Sequence, residues 1–214
     1  MPNISRRLAS SLFVFASATL IVACATSSES GLNPNHAWAI DNAQSTLNFV
    51  TTKAGQPGVA GIGEVQNFKR FSGSFDGIGQ IKLMIDLASI DTGIEIRDER
   101  LRTMLWNVKA TPQATFTAKL SAENLAAIAS TDIADVDVAG QLELAAQSKP
   151  VTAKLRVSRL GKGKMMVVTR APILINSNDF GLQAGVEALR EVMGLNFISA
   201  SAPVSFALVL TGQK

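Results

Sequence analysis

Apolar and polar residues alternate with a period of two through most of residues 38–210, and this pattern constrains the fold more than any other feature. Such alternation marks β-strands with one buried and one solvated face. Ile81, Leu83, Ile85 and Leu87 share one face, while Lys82, Met84 and Asp86 share the other. Val136, Val138, Leu142 and Leu144 repeat the pattern with Gly140 in register, as do Val151-Ala153-Leu155-Val157 and Val204-Phe206-Leu208-Leu210. Trp38–Asp41, Thr46–Thr52, Val59–Gln66, Phe71–Phe75 and Thr115–Leu120 are rich in β-branched or aromatic residues and bounded by Gly, Pro or Asn. Together these segments predict roughly nine or ten strands.

Asp76-Gly77 and Gly161-Lys162-Gly163 supply hairpin turns, so consecutive strands are expected to pair antiparallel. A sheet of this size must close or split into two layers, because free edges invite aggregation. Closure predicts an all-β, antiparallel barrel of about eight strands with one or two short helices. The first helix is expected within Glu95–Val108, where Leu101, Met104, Leu105 and Val108 fall at helical spacing and Asp98 and Arg102 stand at i, i+4. Val186–Met193 is a second amphipathic stretch, and Leu125–Ala129 reads equally as helix or loop. Small inward candidates Ala118, Gly140 and Ala153, beside Phe49, Phe75, Phe116 and Phe206, make room for a cavity. Alternation alone does not separate a hollow barrel from a filled one.

The residue inventory excludes several chemistries. The chain has no Tyr, one Cys (Cys24) and one His (His36), and both of these precede the first strand. A Ser-His-Asp arrangement needs an imidazole held inside a rigid site, and a zinc centre needs three or four N or S ligands. Neither can be assembled here, so no metal and no catalytic residue is expected. Asp86, Asp91, Glu95, Asp98 and Glu99 cluster in sequence, but acids in the first turn of a helix complement its dipole, with Arg97, Arg100 and Arg102 as partners. Gly61-Ile62-Gly63 and Gly161-Lys162-Gly163 lack a following phosphate-binding helix and read as turn or bulge glycines; Met165-Met166 reads as core.

The N-terminus reads as an address. Leu12–Val22 is an apolar run behind Arg6 and Arg7, shorter than the roughly 20 residues a membrane-spanning helix needs. It ends in Ile21-Val22-Ala23-Cys24, which resembles the lipobox of bacterial lipoproteins, where the Cys is acylated and becomes the mature N-terminus. The alternative is an ordinary cleaved leader that leaves Cys24 an incidental thiol. Ala25–His36 is Ser-, Asn-, Gly- and Pro-rich without periodicity, as a tether would be. The expected organisation is a lipoprotein signal peptide over 1–23, a tether over 24–36 and one barrel domain over 37–214. The twin arginine lacks the residues that would continue a twin-arginine leader, and Ala25 after the Cys resembles the outer-membrane sorting pattern. A periplasmic domain held to a membrane, outer in preference to inner, is the resulting expectation. Arg6 and Arg7 are two of the 20 basic residues, so the mature chain carries 18 against 17 acids. The sequence pI of about 9.2 is therefore no argument for a nucleic-acid partner.

Several strings together resemble the YceI-like, polyisoprenoid-binding, lipocalin-like periplasmic proteins. They are Ala39-Ile40-Asp41 with Ser45-Thr46-Leu47-Asn48-Phe49, then Phe71-Ser72-Gly73-Ser74-Phe75, Ala88-Ser89-Ile90-Asp91-Thr92, Arg97-Asp98-Glu99-Arg100-Leu101, Thr111-Pro112-Gln113-Ala114-Thr115-Phe116 and Asn178-Asp179-Phe180-Gly181. The closing strand Ile198–Leu210 completes the match. The chain departs from the family pattern at Asp41-Asn42-Ala43-Gln44-Ser45 and at Trp106-Asn107. The resemblance implies an antiparallel barrel around an elongated apolar cavity that takes isoprenoid or quinone-like chains, with no catalytic residues and no covalent cofactor. The inward residues expected to line it are Phe49, Phe75, Ile81, Leu83, Ile85, Phe116, Leu142, Leu155 and Phe206; each serves equally well as plain core, and a slip of one residue in register would exchange the faces.

Two functions follow from this reading. One is a membrane-tethered carrier or scavenger of an isoprenoid-type lipid in the cell envelope, anchored through acylated Cys24. The other is an envelope structural or docking lipoprotein whose barrel is filled and whose working surface is a segment such as Arg97–Val108. An enzyme ranks third, and a homodimer is compatible with either.

Overall fold

The computed structural model describes residues 36–161 and 163–213. Thirteen strand segments in this region form one antiparallel sheet that closes on itself. They align as eight staves, several of them broken once. The first is β1 (Trp38–Ile40) and β2 (Thr46–Ala54), and the second is β3 (Ile62–Phe68) and β4 (Phe71–Phe75). The third is β5 (Gln80–Asp86) and β6 (Ile90–Asp91), followed by β7 (Gln113–Lys119), β8 (Ile133–Leu144) and β9 (Gln147–Gly161). The seventh stave is β10 (Lys164–Thr169) with β11 (Ile173–Asn176), and the eighth is β12 (Phe197–Ile198) with β13 (Ser201–Gly212). β13 closes the ring on the first stave, with Gly212 opposite Trp38 and Phe206 opposite Leu47.

The breaks are sealed by side chains that take over valences the ladder leaves open. At the turn of Asn42–Gln44, the Asp41 carboxylate accepts from the backbone N–H groups of Ala43 (3.1 Å) and Gln44 (3.3 Å). Ser45 Oγ accepts from the Val209 N–H at 2.9 Å. Asn42 bridges the neighbouring break, accepting from the Phe71 N–H and donating to the Lys69 carbonyl, both at 2.8 Å. Asp86 and Ser89 do the same in the third stave, where the Ala88 N–H donates to Asp86 at 2.9 Å and Ser89 Oγ accepts from the Arg70 N–H at 3.0 Å.

The two ends of the barrel differ. At the end where the chain enters, α2 (Ala122–Ser130) covers the opening. Its N-cap is Ser121, whose hydroxyl accepts from the Asn124 N–H at 3.1 Å, and its Ile128 is buried with Leu120, Trp38 and Phe75. At the other end lie α1 (Glu95–Arg100), which runs on into a π-helical turn at Leu101–Leu105, and α3 (Gln183–Val192). α3 crosses close over that turn because Gly185 has no Cβ: one built there would stand 2.7 Å from the Met104 carbonyl oxygen and 3.0 Å from Leu105 Cα.

Several expectations need correction. Among the described residues there are three α-helices where one or two were expected, since the segment around Leu125 is helical throughout. The helix expected over Glu95–Val108 loosens into the π turn and ends at Leu105. Arg102 does not pair with Asp98; it meets Glu95 at 2.6 Å and Glu99 at 3.3 Å. Asp98 is buried and turns back to accept from the Thr92 N–H at 2.9 Å, fixing the loop before the helix. Gly63 sits within β3 opposite Thr52 and is not a turn residue. Met165 is buried, whereas Met166 is not.

Candidate functional site

Registers of the eight staves decide what the barrel encloses. Directly opposed residues share a face, so Ile81 joins Phe75 and Ala118, and Leu83 joins Gly73 and Phe116. Ile85 joins Phe71 and Ala114, Phe116 meets Leu142, and Val136 meets Leu155. Phe206 faces Leu47, and Val204 faces Phe49. All of these sides point inward.

The inner face carries both tightly packed and partly exposed side chains. Phe49, Phe75 and Leu155 are buried at 8, 6 and 7% exposure, whereas Ile81, Leu83, Ile85, Phe116, Leu142 and Phe206 are only half-buried although they point to the axis. They border an internal space of about 330 Å³, within the roughly 300–1,000 Å³ typical of ligand pockets. All nine residues expected to line a cavity contribute to its wall. Gly140 does not add to the void: the Phe116 ring lies over it, and a Cβ there would come within 2.6 Å of Phe116 Cε2.

The wall also includes Phe68 and Trp106, which strand alternation did not single out. Phe49, Phe68 and Trp106 form an aromatic group with centroids 5.6, 5.7 and 6.2 Å apart, Trp106 lying edge-on to Phe49. Of the two departures from the family pattern, Trp106 therefore reaches the cavity, whereas the Asp41–Ser45 turn does not line it. Ile173 and Ile175 of β11, and Val186, Leu189 and Met193 in and just after α3, complete the apolar lining.

At the open end the wall turns polar. Thr51 and Lys53 continue the inward face of β2 beyond Phe49, and Glu64 and Gln66 continue that of β3 above Phe68. Arg97 joins them from α1. Lys53 Nζ lies 3.0 Å and Arg97 Nη1 2.9 Å from the same Glu64 oxygen, Oε2. Gln66 Nε2 donates to Thr51 Oγ1 at 3.1 Å. The period of two could have located Lys53, Glu64 and Gln66, had inward positions been allowed to be polar at a barrel rim.

Among the described residues Glu64 is the one acid on the wall, and none of them places a second carboxylate opposite it across the cavity. Among the described residues no group of His, Cys, Asp and Glu is placed to hold a metal ion, and no helix is long and apolar enough to cross a membrane. Cys24 lies outside the described residues.

Residues 38–210 match the YceI-like domain family. A polyisoprenoid-binding domain from Saccharophagus degradans, implicated in plant cell wall breakdown, is 34% identical with a TM-score of 0.74; the match covers 82% of this chain and 98% of that one. BcnA of Burkholderia cenocepacia aligns at 19% identity and a TM-score of 0.56, covering 79% of this chain and 98% of its own. The Campylobacter jejuni YCEI protein aligns at 21% identity and a TM-score of 0.50, covering 70 and 84% respectively. These last two likenesses concern the fold alone. No curated protein matches the chain.

Proposed function

The chain belongs to the YceI-like family, and from that premise we propose that it is a binding protein, not an enzyme, whose ligand is an isoprenoid or quinone-like lipid. The observation that carries this reading is the partial exposure of inward-pointing Ile81, Leu83, Ile85, Phe116, Leu142 and Phe206. In a filled barrel such side chains would be as buried as Val136 and Val138, at 3 and 2%. The polyisoprenoid-binding domain that shares 34% of its residues supports the choice of lipid class.

Energetics set the length of ligand required. Each buried CH₂ contributes about 0.8 kcal/mol, and association costs roughly 4–15 kcal/mol in lost freedom. Break-even therefore falls between about five and about nineteen buried carbons, which favours a chain of several isoprene units over a small apolar solute. Nothing covalent is needed.

Within this proposal the protein works as a carrier or scavenger in the bacterial cell envelope, acylated at Cys24 and tethered to a membrane, the outer one in preference. Ile21-Val22-Ala23-Cys24 and the polar segment after it support that placement. Two measurements test it. Native mass spectrometry of the purified protein is expected to reveal a co-purifying lipid that solvent extraction removes and a polyprenyl compound replaces; absence of both adducts refutes the binding reading. Cys24→Ser is expected to abolish recovery in the membrane fraction, and an intact mass without an acyl increment on the mature chain refutes the anchor.

A further inference from the structure

Among the described residues eleven large apolar side chains are well exposed, and six of them stand at the end of the barrel that carries α1 and α3. These are Val59, Ile62, Ile94, Ile96, Val192 and Phe197, each 45 to 61% exposed. Register and connectivity place them there. Ile62 stands opposite Lys53 and Phe197 opposite Ala54, at the end of β2. Val59 lies in the loop between β2 and β3, which projects from the barrel: a Cβ built at Gly55 or Gly58 would meet nothing within 4 Å. β6 runs antiparallel to β3 with Ile90 opposite Phe68, so the chain leaving Asp91 carries Ile94 and Ile96 back toward Ile62. Val192 is the last residue of α3, just before Phe197 in the chain.

Scattered exposed apolar residues are ordinary, but a concentration around an opening marks an interaction surface. These side chains border the cavity wall. Ile62 faces Lys53 across the ladder, and Ile96, Val192 and Phe197 adjoin the wall residues Arg97, Met193 and Ile198. The charges among them are neutralised within the protein: Lys53 and Arg97 share Glu64, Arg102 holds Glu95 and Glu99, and Arg190 holds Glu187 and Glu191. Four cations thus meet five acids, which leaves these pairs no cationic surplus to recruit anionic head groups. The apolar tips project from separate elements, so a rigid partner would have to match each one. Fluid acyl chains instead close around separated side chains, and paired charges cost less than bare ones to bring to the headgroup region.

We propose that this rim inserts into the surface of a lipid bilayer, so that the cavity opens directly onto the acyl region. The choice of a bilayer over a protein partner rests on the lipid-binding reading above, since an apolar chain then passes between membrane and barrel without crossing water. The contact is separate from the expected Cys24 anchor. The described chain begins at the opposite end of the barrel, where Trp38 stands opposite Gly212.

The test uses the chain from residue 24 onward with Cys24→Ser, which keeps every described residue and carries no acyl group. It is expected to float with phosphatidylcholine vesicles equally well in low and high salt, and to bind no more tightly when phosphatidylglycerol is added. Ile96→Ser and Phe197→Ser are each expected to weaken vesicle partition about tenfold, the scale of one apolar side chain, and together to abolish it. Ile133→Ser and Leu160→Ser, at the α2 end, are expected to change nothing. Val59→Trp gives a reading that does not depend on the serine variants folding: its emission is expected to shift to the blue on vesicles and to be quenched by brominated acyl chains. Absence of flotation, or flotation lost equally in the rim and α2-end variants, overturns the proposal. So does a concentration-dependent dimer that the rim substitutions dissolve while vesicles bind nothing, which assigns the rim to a second copy of the chain. Flotation that follows the rim while polyprenyl compounds fail to bind upholds the docking surface and overturns the lipid-carrier reading; polyprenyl binding without flotation does the reverse.

Discussion

Leu83→Trp separates a hollow barrel from a filled one. Leu83 points inward between Gly73 and Phe116 on neighbouring staves and is half-buried, whereas Val138, also inward, is 2% exposed. An indole at 83 can grow into the 330 Å³ space from a partly exposed position; one at 138, which borders the same space but is 2% exposed, must first displace the side chains packed on it. Overpacking a tight core costs about 1–3 kcal/mol or more, and in a domain of this size each kcal/mol lowers Tm by roughly 2–4 °C. Val138→Trp is therefore expected to lose about 6–12 °C if its cost falls at the upper end of that range. Leu83→Trp is expected to stay within about 4 °C of the parent protein, since its added ring displaces space and not atoms. Binding should respond in the opposite order. If the indole excludes about three ligand carbons, the loss is about 2.4 kcal/mol, roughly fifty-fold in Kd. Differential scanning fluorimetry beside a titration with a polyprenyl ligand reads both quantities. Equal destabilisation by the two substitutions, with ligand affinity untouched by Leu83→Trp, would refute the argument from partly exposed inward side chains.

Two further predictions concern the wall itself. Gly140→Ala places a methyl against both the Phe116 ring and the Thr117 carbonyl oxygen; the ring can tip into the cavity but the backbone cannot yield. A stability loss of about 1–3 kcal/mol together with weaker lipid uptake is expected, and an unchanged melting curve would show that the β7–β8 register is wrong. On the outer face, Asp135 accepts from Arg156 Nε at 2.7 Å and Nη2 at 2.9 Å and lies 3.2 Å from Arg170 Nε. The Arg156 hydrogen bonds, aided by the charges of Arg156 and Arg170, hold the Asp135 carboxyl below its ordinary value. A carboxyl lowered in the folded state stabilises above its unfolded value and loses that contribution as pH falls through the folded one. Asp135→Asn should accordingly melt below the parent at pH 7, and the gap should close as the pH drops beneath about 3.9; a gap that persists in acid would contradict the assignment.

What the sequence disclosed and what it withheld divide along physical lines. Ile81, Leu83 and Ile85 were legible because β5 is an unbroken strand whose outward partners Lys82 and Asp86 are polar. β11 was not, since Ile173–Asn176 is four residues long and follows Pro172. Lys53, Glu64 and Gln66 obey the same alternation as Phe49 and Phe68, but an inward polar residue at a rim looks, in one dimension, like an outward one. Arg97 was named as a helix-surface partner for nearby acids; its contact with Glu64, 33 positions away, depends on where α1 lands over the mouth. Whether the barrel is hollow was also out of reach. A Phe that fills a core and a Phe that borders a void have the same sequence environment, and only their exposure in the folded barrel tells them apart.

A hollow barrel gives up part of the packing that a filled one would gain, and the deficit must be met elsewhere. Exposed ion pairs such as Arg70–Asp86 and Arg156–Asp135 contribute little, typically 0–1 kcal/mol each. The stronger terms are the uninterrupted ring of backbone hydrogen bonds and the packed end beneath α2, where Trp38, Phe75, Leu120, Ile128 and Val136 are all under 9% exposed. A ligand tail that fills the cavity would restore to β5, β7 and β13 the contacts their partly exposed inner faces lack. Binding and folding are then linked: a lipid present at a hundred times its Kd adds about 2.7 kcal/mol to the stability of the folded chain. The same hollow that makes room for the ligand makes the ligand a structural component of the barrel.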